Sequence, residues 1–272
     1  MPKYKCSICE YAFNDSDAMW ENLPKAWNCP VCSASKKMFD QQDDTIKTLP
    51  VKIIDIFEET HDVKTFRLEK PKDFSFLPGQ YCFLINGDEK RPFTFSSSPN
   101  KEYLELTIKL MGEFTHALFK LKPGKKLLIE GPMGKNLVFN ENIKQDIVFL
   151  SGGSGITPFM GILRYALEKK AKNHFFMLYG SMTEEDIIFK KELQNMSISL
   201  FNFIANPKED WKGEKGHITV EKVIKYVPNP KEKLWYICGP PAMNKAMRII
   251  LKEVEIEEKD IRMEEWELPG KN

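Results

Sequence analysis

Between residues 51 and 140 apolar and polar side chains alternate in short runs, cut by turn pairs at Pro78-Gly79, Asn86-Gly87 and Pro123-Gly124. This period of two predicts strands over 51–57, 63–68, 81–85, 92–96, 103–110 and 126–130. Six short strands with regular turns suggest a closed antiparallel β-barrel. One stretch, 114–121, reads instead as a helix. From residue 141 the rhythm changes, and 147–150 is an unbroken apolar run, as expected of a parallel strand buried on both faces. Similar runs at 175–179, 199–204 and 234–238 alternate with helical patterns at 158–169, 184–195, 220–226 and 242–254. Strand–helix alternation with short loops predicts a doubly wound α/β sheet, whose ligands sit at the carboxyl ends of its strands. A last strand is expected over 262–266. Ahead of the barrel, residues 1–40 are densely aromatic, and 41–49 are polar, aperiodic and read as a linker reaching about 30 Å when extended. The expected organisation is therefore multidomain: a small unit over 1–40, a linker over 41–49, a barrel over 50–140 and an α/β domain over 141–272.

Composition narrows the function classes. In 272 residues, 42% hydrophobic and 12% aromatic content is enough for real cores. The net charge of +1 and the absence of a basic block argue against nucleic acid or a membrane surface as partner. No apolar run of about 18 residues and no leader pattern occurs, so a soluble, unexported, cytoplasmic protein is expected. The four histidines (His61, His116, His174, His217) are scattered, and no Ser/His/Asp or HExxH arrangement supports hydrolysis.

The cysteines are distributed unevenly. Of six, four fall in two CxxC knuckles, Cys6-Ser7-Ile8-Cys9 and Cys29-Pro30-Val31-Cys32, separated by 19 residues. In a chain read as unexported this spacing favours metal over disulfides. Four thiolates from Cys6, Cys9, Cys29 and Cys32 suit a tetrahedral zinc or a single iron. Tyr4, Tyr11, Phe13, Trp20, Trp27 and Phe39 surround the knuckles, an apolar shield that thiolate-bound iron needs more than structural zinc does. The text Tyr4-x-Cys6-x-x-Cys9-x-Tyr11, with Leu23-Pro24-x-x-Trp27-x-Cys29-Pro30-x-Cys32 and Lys37-x-Phe39, resembles rubredoxin and implies iron, with a zinc ribbon as the alternative. The segment between the knuckles is shorter than rubredoxins have, and Glu10 and Ser33 replace their glycines, which is unfavourable if those positions require positive φ.

Residues 91–99 line up a guanidinium, an aromatic ring and a row of hydroxyls, the groups a flavin nucleotide uses at its phosphate, its ring face and its N5 edge. Arg91, Phe93, Thr94 and Ser97 stand at the places of the Arg-x-Tyr-Ser-x-x-Ser signature of the ferredoxin–NADP reductase superfamily, which the stretch resembles, with Pro92 between them. Phe and Thr replace the usual Tyr and Ser. Gly112 and Thr115 open the helix after Lys109 and resemble the superfamily's diphosphate cradle, which implies FAD rather than FMN. Gly131-Pro132-Met133-Gly134 matches the turn at which the superfamily's chain leaves the barrel.

Two loops at predicted strand ends extend the resemblance. Ser151-Gly152-Gly153-Ser154-Gly155-Ile156-Thr157-Pro158 follows the first α/β strand, and Cys238-Gly239-Pro240-Pro241-Ala242-Met243 follows the fourth. Together they resemble the superfamily's nicotinamide site, which assigns cofactor contacts to Gly152, Gly153, Gly155, Thr157, Pro158, Gly239 and Pro240. Cys238 is then expected beside the nicotinamide, with Thr94 and Glu265 as further catalytic candidates and Trp266 against the flavin. Met182 occupies the place where NADP-dependent relatives often carry Arg, and Glu184, Glu185 and Asp186 follow it. NADH is therefore expected over NADPH, with Lys190 and Lys191 within reach as counter-charges. The resemblance as a whole implies an NAD(P)H-dependent FAD oxidoreductase of the NAD(P)H:rubredoxin reductase type. It would deliver electrons through one four-thiolate iron to a downstream redox protein. The alternatives are a flavin reductase with a zinc docking module, or the flavin subunit of a larger redox complex.

Overall fold

The computed structural model describes residues 3–6, 12–13, 20–24, 26–31, 33–42 and 48–264. The chain divides into two compact units, Met1–Lys47 and Thr48–Asn272. In the first, β1 (Lys3–Cys6) pairs antiparallel with β2 (Ala12–Phe13) and β3 (Phe39–Gln42). Phe13, Trp20, Cys29 and Phe39 form its buried core, with Tyr4, Leu23 and Trp27 against them. The rings of Tyr4 and Trp20 stack at 4.1 Å, and Trp27 meets Phe13 and Phe39 edge-on. The Lys36 ammonium closes this core from the side, donating to the carbonyls of Trp20 and Leu23 at 2.6 and 3.0 Å.

The second unit opens with an antiparallel sheet of β4 (Thr48–Thr60), β5 (Val63–Glu69), β6 (Tyr81–Asn86), β7 (Glu89–Thr94), β8 (Tyr103–Lys109) and β9 (Lys126–Met133). Their order is β7-β6-β9-β4-β5-β8. The two outer strands are brought together by a bridge between Phe95 and Leu106 and by Ser96 N–H donating to the Glu105 carbonyl at 2.9 Å. That closure makes the sheet a barrel, filled by Ile53, Phe66, Leu68, Leu84, Phe95 and Leu106, all fully buried. Strand β4 runs to 13 residues, longer than the expected 51–57, because its first part pairs with β9 and its second with β5. Register shifts at Ile53/Asp55 and Glu58/Thr60 accompany the change of partner. The helix α1 (Glu113–Phe119) follows β8.

A parallel sheet follows, built from β10 (Ile147–Gly152), β11 (Phe175–Ser181), β12 (Ser199–Ile204), β13 (Glu214–Lys215), β14 (Leu234–Cys238) and β15 (Ile261–Met263), in the order β13-β12-β11-β10-β14-β15. Helices α2 (Thr157–Glu168), α3 (Lys190–Gln194), α4 (Val220–Tyr226) and α5 (Pro241–Glu253) connect them. Every residue of β10 is buried, as its unbroken apolar run predicts. The expected single helix over 184–195 is corrected by the structure to two pieces. A 3-10 turn at Glu184–Asp186 is separated from α3 by Phe189, which takes φ 57°. Thr183 caps the first piece through its reciprocal bonds with Asp186, and the Tyr179 hydroxyl accepts Ile188 N–H at 3.3 Å, so local capping outweighs helical periodicity. Among the described residues no helix is long and apolar enough to cross a membrane.

Candidate active site

The flavin-signature strand is β7, an edge strand, where Pro92, which has no N–H to donate, is tolerated because one side of the strand lacks a ladder partner. Arg91 and Phe93 point toward the start of α1. The guanidinium lies 5.6 Å above the Phe114 ring, and the Phe93 and Phe114 rings run nearly parallel at 6.1 Å. Among the described residues Arg91 otherwise donates only to the Lys90 carbonyl and to Glu89, at 2.9 and 3.3 Å, leaving it half-exposed and able to turn to a phosphate. Gly112 precedes α1 at φ 82°, with open space where a Cβ would project. Thr115 is buried and shapes this turn from within. Its hydroxyl accepts Met111 N–H at 2.6 Å and donates to the Gly112 carbonyl at 3.0 Å. A guanidinium, two stacked rings and an open glycine turn thus share one edge of the barrel.

Beyond Arg91 the strand turns inward. Thr94 is 9% exposed, and its hydroxyl has no hydrogen-bond partner among the described residues. The next three hydroxyls are all engaged. Ser96 and Thr107 share a bond at 2.9 Å, Ser97 accepts Glu105 N–H at 3.0 Å, and Ser98 donates to Glu168 at 2.6 Å. Ser97 therefore also braces the barrel closure.

The two glycine loops lie in direct contact at the carboxyl ends of β10 and β14. A Cβ on Gly155 would fall 2.1 Å from the Cys238 carbonyl oxygen, and one on Gly239 would fall 3.2 Å from Gly152 N. At Gly155 only glycine permits this approach, since every atom it meets is backbone. Gly153 takes φ 52° and faces open space, with its carbonyl held by the Tyr179 hydroxyl at 3.1 Å. Thr157, buried at the first turn of α2 ahead of Pro158, donates to Ser154 O at 3.0 Å. Pro240 caps α5 on the opposite loop. The Ser151 hydroxyl is buried without a partner beside these loops. These groups fit a dinucleotide approaching the backbone, and the Arg91–Gly112 edge fits the phosphates of a flavin nucleotide.

The chain after the parallel sheet's last strand meets the end of the barrel at Glu264. Thr94 pairs with Tyr81 across the β6–β7 ladder. The Tyr81 ring and the Glu264 carboxylate both come within 3.0 Å of where a Gly134 Cβ would stand. Glu264 accepts the backbone N–H groups of Lys135 and Asn136 at 3.2 and 3.3 Å. Burial, with Glu264's charge adding to it, pushes the Cys238 thiol up to about 12, so it stays protonated and uncharged at neutral pH. Glu264 and Tyr81 carry no motif of their own and escape a reading of the sequence, while Gly134 closes the barrel-exit turn. Glu265 and Trp266 lie outside the described residues.

Near the cofactor-choice loop, Glu184 is 8% exposed, with one carboxylate oxygen accepting Lys208 N–H at 3.0 Å and the other unpaired. Asp186 is taken up by the Thr183 cap, Lys190 is turned onto the Glu184 carbonyl at 3.4 Å, and Lys208 pairs with Glu185. Of the four knuckle cysteines, Cys29 is buried in the aromatic core at 2% exposure. Its carbonyl accepts Ser33 N–H at 2.8 Å, and Ser33 takes φ 59°, the left-handed geometry its glycine-like place requires. Cys6 is described only as the end of β1, and Cys9 and Cys32 lie outside the described residues.

Comparison with known proteins agrees with this geometry. Residues 50–137 match the family described as "Oxidoreductase FAD-binding domain" and 149–248 that described as "Oxidoreductase NAD-binding domain". NADH-cytochrome b5 reductase 2 of Pyricularia oryzae is 33% identical over 71% of this chain, which spans 64% of that protein's length. NADH-cytochrome b5 reductase 1 of Dictyostelium discoideum is 31% identical over 75% of this chain and 77% of its own. The structure titled "Ferredoxin reductase in carbazole 1,9a-dioxygenase" shares the fold, with a TM-score of 0.73 at 23% identity, covering 82% of this chain and 70% of that one. The chain belongs to the ferredoxin–NADP reductase superfamily, among the cytochrome b5 reductase-type oxidoreductases that pair an FAD-binding with an NAD-binding domain.

Proposed function

We propose that the chain is an NADH-dependent flavoenzyme that passes electrons through its own N-terminal iron to an external redox protein. The observation that carries the reading is that the helix leaving the first glycine loop packs directly on the flavin-signature stretch, with Gly161 against the Phe95 carbonyl and Arg164 donating to that of Ser96. FAD bound here supplies a two-electron acceptor for the hydride of NADH and a donor of single electrons to iron. Arg91 and the Gly112 turn would hold its diphosphate, Phe93 would offer its ring system an aromatic face, and the Thr94 hydroxyl would be free to bond its reactive edge. Gly152, Gly153, Gly155 and Gly239 let the dinucleotide reach the backbone, and Thr157 orients its carboxamide. Cys238, held neutral, packs against the nicotinamide without adding charge where the hydride departs.

The preference for NADH rests on Met182 and on the buried carboxylate of Glu184, which would face a 2′-phosphate without a free guanidinium to offset it. For the N-terminal unit, iron held by Cys6, Cys9, Cys29 and Cys32 is supported by the knuckle spacing, the aromatic core around Cys29 and the left-handed Ser33. The test is metal analysis with visible spectra before and after anaerobic NADH. About one iron per chain, bleached by NADH together with the flavin, is expected, and Cys9→Ser or Cys32→Ser should lose the iron while FAD stays. Stoichiometric zinc without iron from iron-replete cells would reduce the N-terminal unit to a docking module and sink the relay.

A further inference from the structure

We infer that Arg164 and Gly161 are positioning residues that lock the nicotinamide helix onto the flavin strand and so set the distance across which the hydride moves. The inference rests on the flavoenzyme reading above. Helix α2 leaves directly from the glycine loop at Thr157, and two features of its inner face press it onto the residues that follow Thr94. Gly161 abuts the backbone, for a Cβ there would stand 2.5 Å from the Phe95 carbonyl oxygen and 3.4 Å from that of Ser97. One turn on, Arg164 Nη1 donates to the Ser96 carbonyl at 2.7 Å and to Glu105 Oε2 at 2.8 Å. Its Nε and Nη2 donate to the two oxygens of Glu192 at 2.7 and 2.6 Å. One guanidinium thereby joins the flavin strand, strand β8 and helix α3.

Arg67, donating to the other Glu105 oxygen at 2.8 and 3.0 Å, fixes that carboxylate in turn. The side chains of Arg164 and Glu105 are 17% and 6% exposed. Ion pairs so far from water recover little net stability, because desolvation offsets their attraction. What a forked, planar cation with four engaged N–H groups supplies is a fixed geometry between three elements. Arg164 lies seven residues along the helix from Thr157, about 10 Å at the α-helical rise, and Ser96 lies two residues from Thr94. A shift at this clasp is therefore transmitted through short, stiff segments to the two sides of the reacting pair, where about 1 Å of misplacement lowers a rate on the order of 100-fold.

A cavity of about 380 Å³ opens against Arg164, lined by Arg67, Lys101, Tyr103, Glu105 and Glu192 among others. It admits a small cation to the place a shortened side chain would vacate. The experiment compares wild type, Arg164→Lys, Arg164→Ala and Glu192→Gln as purified holoenzymes. It uses anaerobic stopped-flow reduction by NADH, FAD content, and hydrogen exchange of 94–107 and 157–168.

Arg164→Ala should keep its FAD and its NADH affinity while the limiting rate of flavin reduction falls roughly 10- to 100-fold. Exchange should quicken in both segments. Millimolar guanidinium, but not sodium, should restore part of the rate, and Arg164→Lys should fall between. Glu192→Gln, which preserves shape and cannot be dismissed as misfolded, should show a smaller loss in the same direction. The inference is overturned if the limiting rates of Arg164→Ala and Glu192→Gln equal wild type. It is equally overturned if the rate loss only tracks lost FAD or lost NADH affinity, or if exchange is unchanged. A wild-type flavin that NADH does not reduce overturns the flavoenzyme reading itself, and this inference with it.

Discussion

Substituting Gly155 with alanine tests the site at its tightest point. The new Cβ would lie 2.1 Å from the Cys238 carbonyl oxygen, 2.4 Å from its carbon and 2.7 Å from Gly239 N, all backbone atoms. Ordinary contact begins at 3.4 Å, so the loops must part by about 1.3 Å. Overpacking of this kind costs about 1–3 kcal/mol of stability. The larger effect is on rate, since displacing one wall of a near-attack geometry by about 1 Å is worth on the order of 100-fold, or about 2.7 kcal/mol of barrier. Gly155→Ala should therefore retain FAD, since the phosphate edge proposed at Arg91 and Gly112 lies on the barrel, but reduce its flavin with NADH about 100-fold more slowly. Gly124→Ala is the matched control. That glycine sits at φ 93° in open space, so alanine there should lose about 1 kcal/mol through backbone strain alone and leave the rate untouched. The assay is anaerobic stopped-flow at the flavin band, alongside thermal melts. A Gly155→Ala enzyme reduced at the wild-type rate would refute the claim that backbone contact between the loops sets the site.

Three further outcomes are expected. Removing residues 1–47 should leave a folded flavoprotein reduced by NADH at nearly the full rate, because the second unit has its own cores; rapid one-electron delivery to a protein acceptor should be lost, and retention of that delivery would remove the N-terminal unit from the electron path. The kcat/KM for NADH should exceed that for NADPH, and Met182→Arg should narrow the gap; an NADPH preference in the wild type would count against the role given to Glu184. Burial opposes ionisation of Asp146, but hydrogen bonds from Lys233 at 2.9 Å and His174 N–H at 2.8 Å outweigh it and hold its carboxyl below the ordinary 3.8. This depressed acid contributes stability above pH 3.8 that is lost as pH falls through its lower folded value; thermal melts should show Asp146→Asn less stable than wild type at pH 7, with the gap closing below pH 3.8, and a gap that widens on acidification would contradict the pairing.

The order of elements was legible in the sequence because it is written in local periodicity. Alternation marks β4 to β9 and unbroken apolar runs mark β10, β11 and β14, since a strand buried on one face and a strand buried on two obey different patterns. The glycines at 152, 155 and 239 were legible through the loops' resemblance to a nucleotide site, but that Gly155 lies against the Cys238 backbone was not. The length of β4 was not legible, because its extra residues are ordered by a second strand partner far away in sequence. Nor was the break at Phe189, where capping by Thr183 and the Tyr179 hydroxyl overrides an otherwise helical stretch. The bond that Ser97 accepts from Glu105 N–H was not legible either, because the two residues meet only when the barrel closes. Arg164, Glu105 and Glu264 carried no signal in the sequence, because each acquires its role from partners 59 and 128 positions away, and no local pattern encodes such a distance.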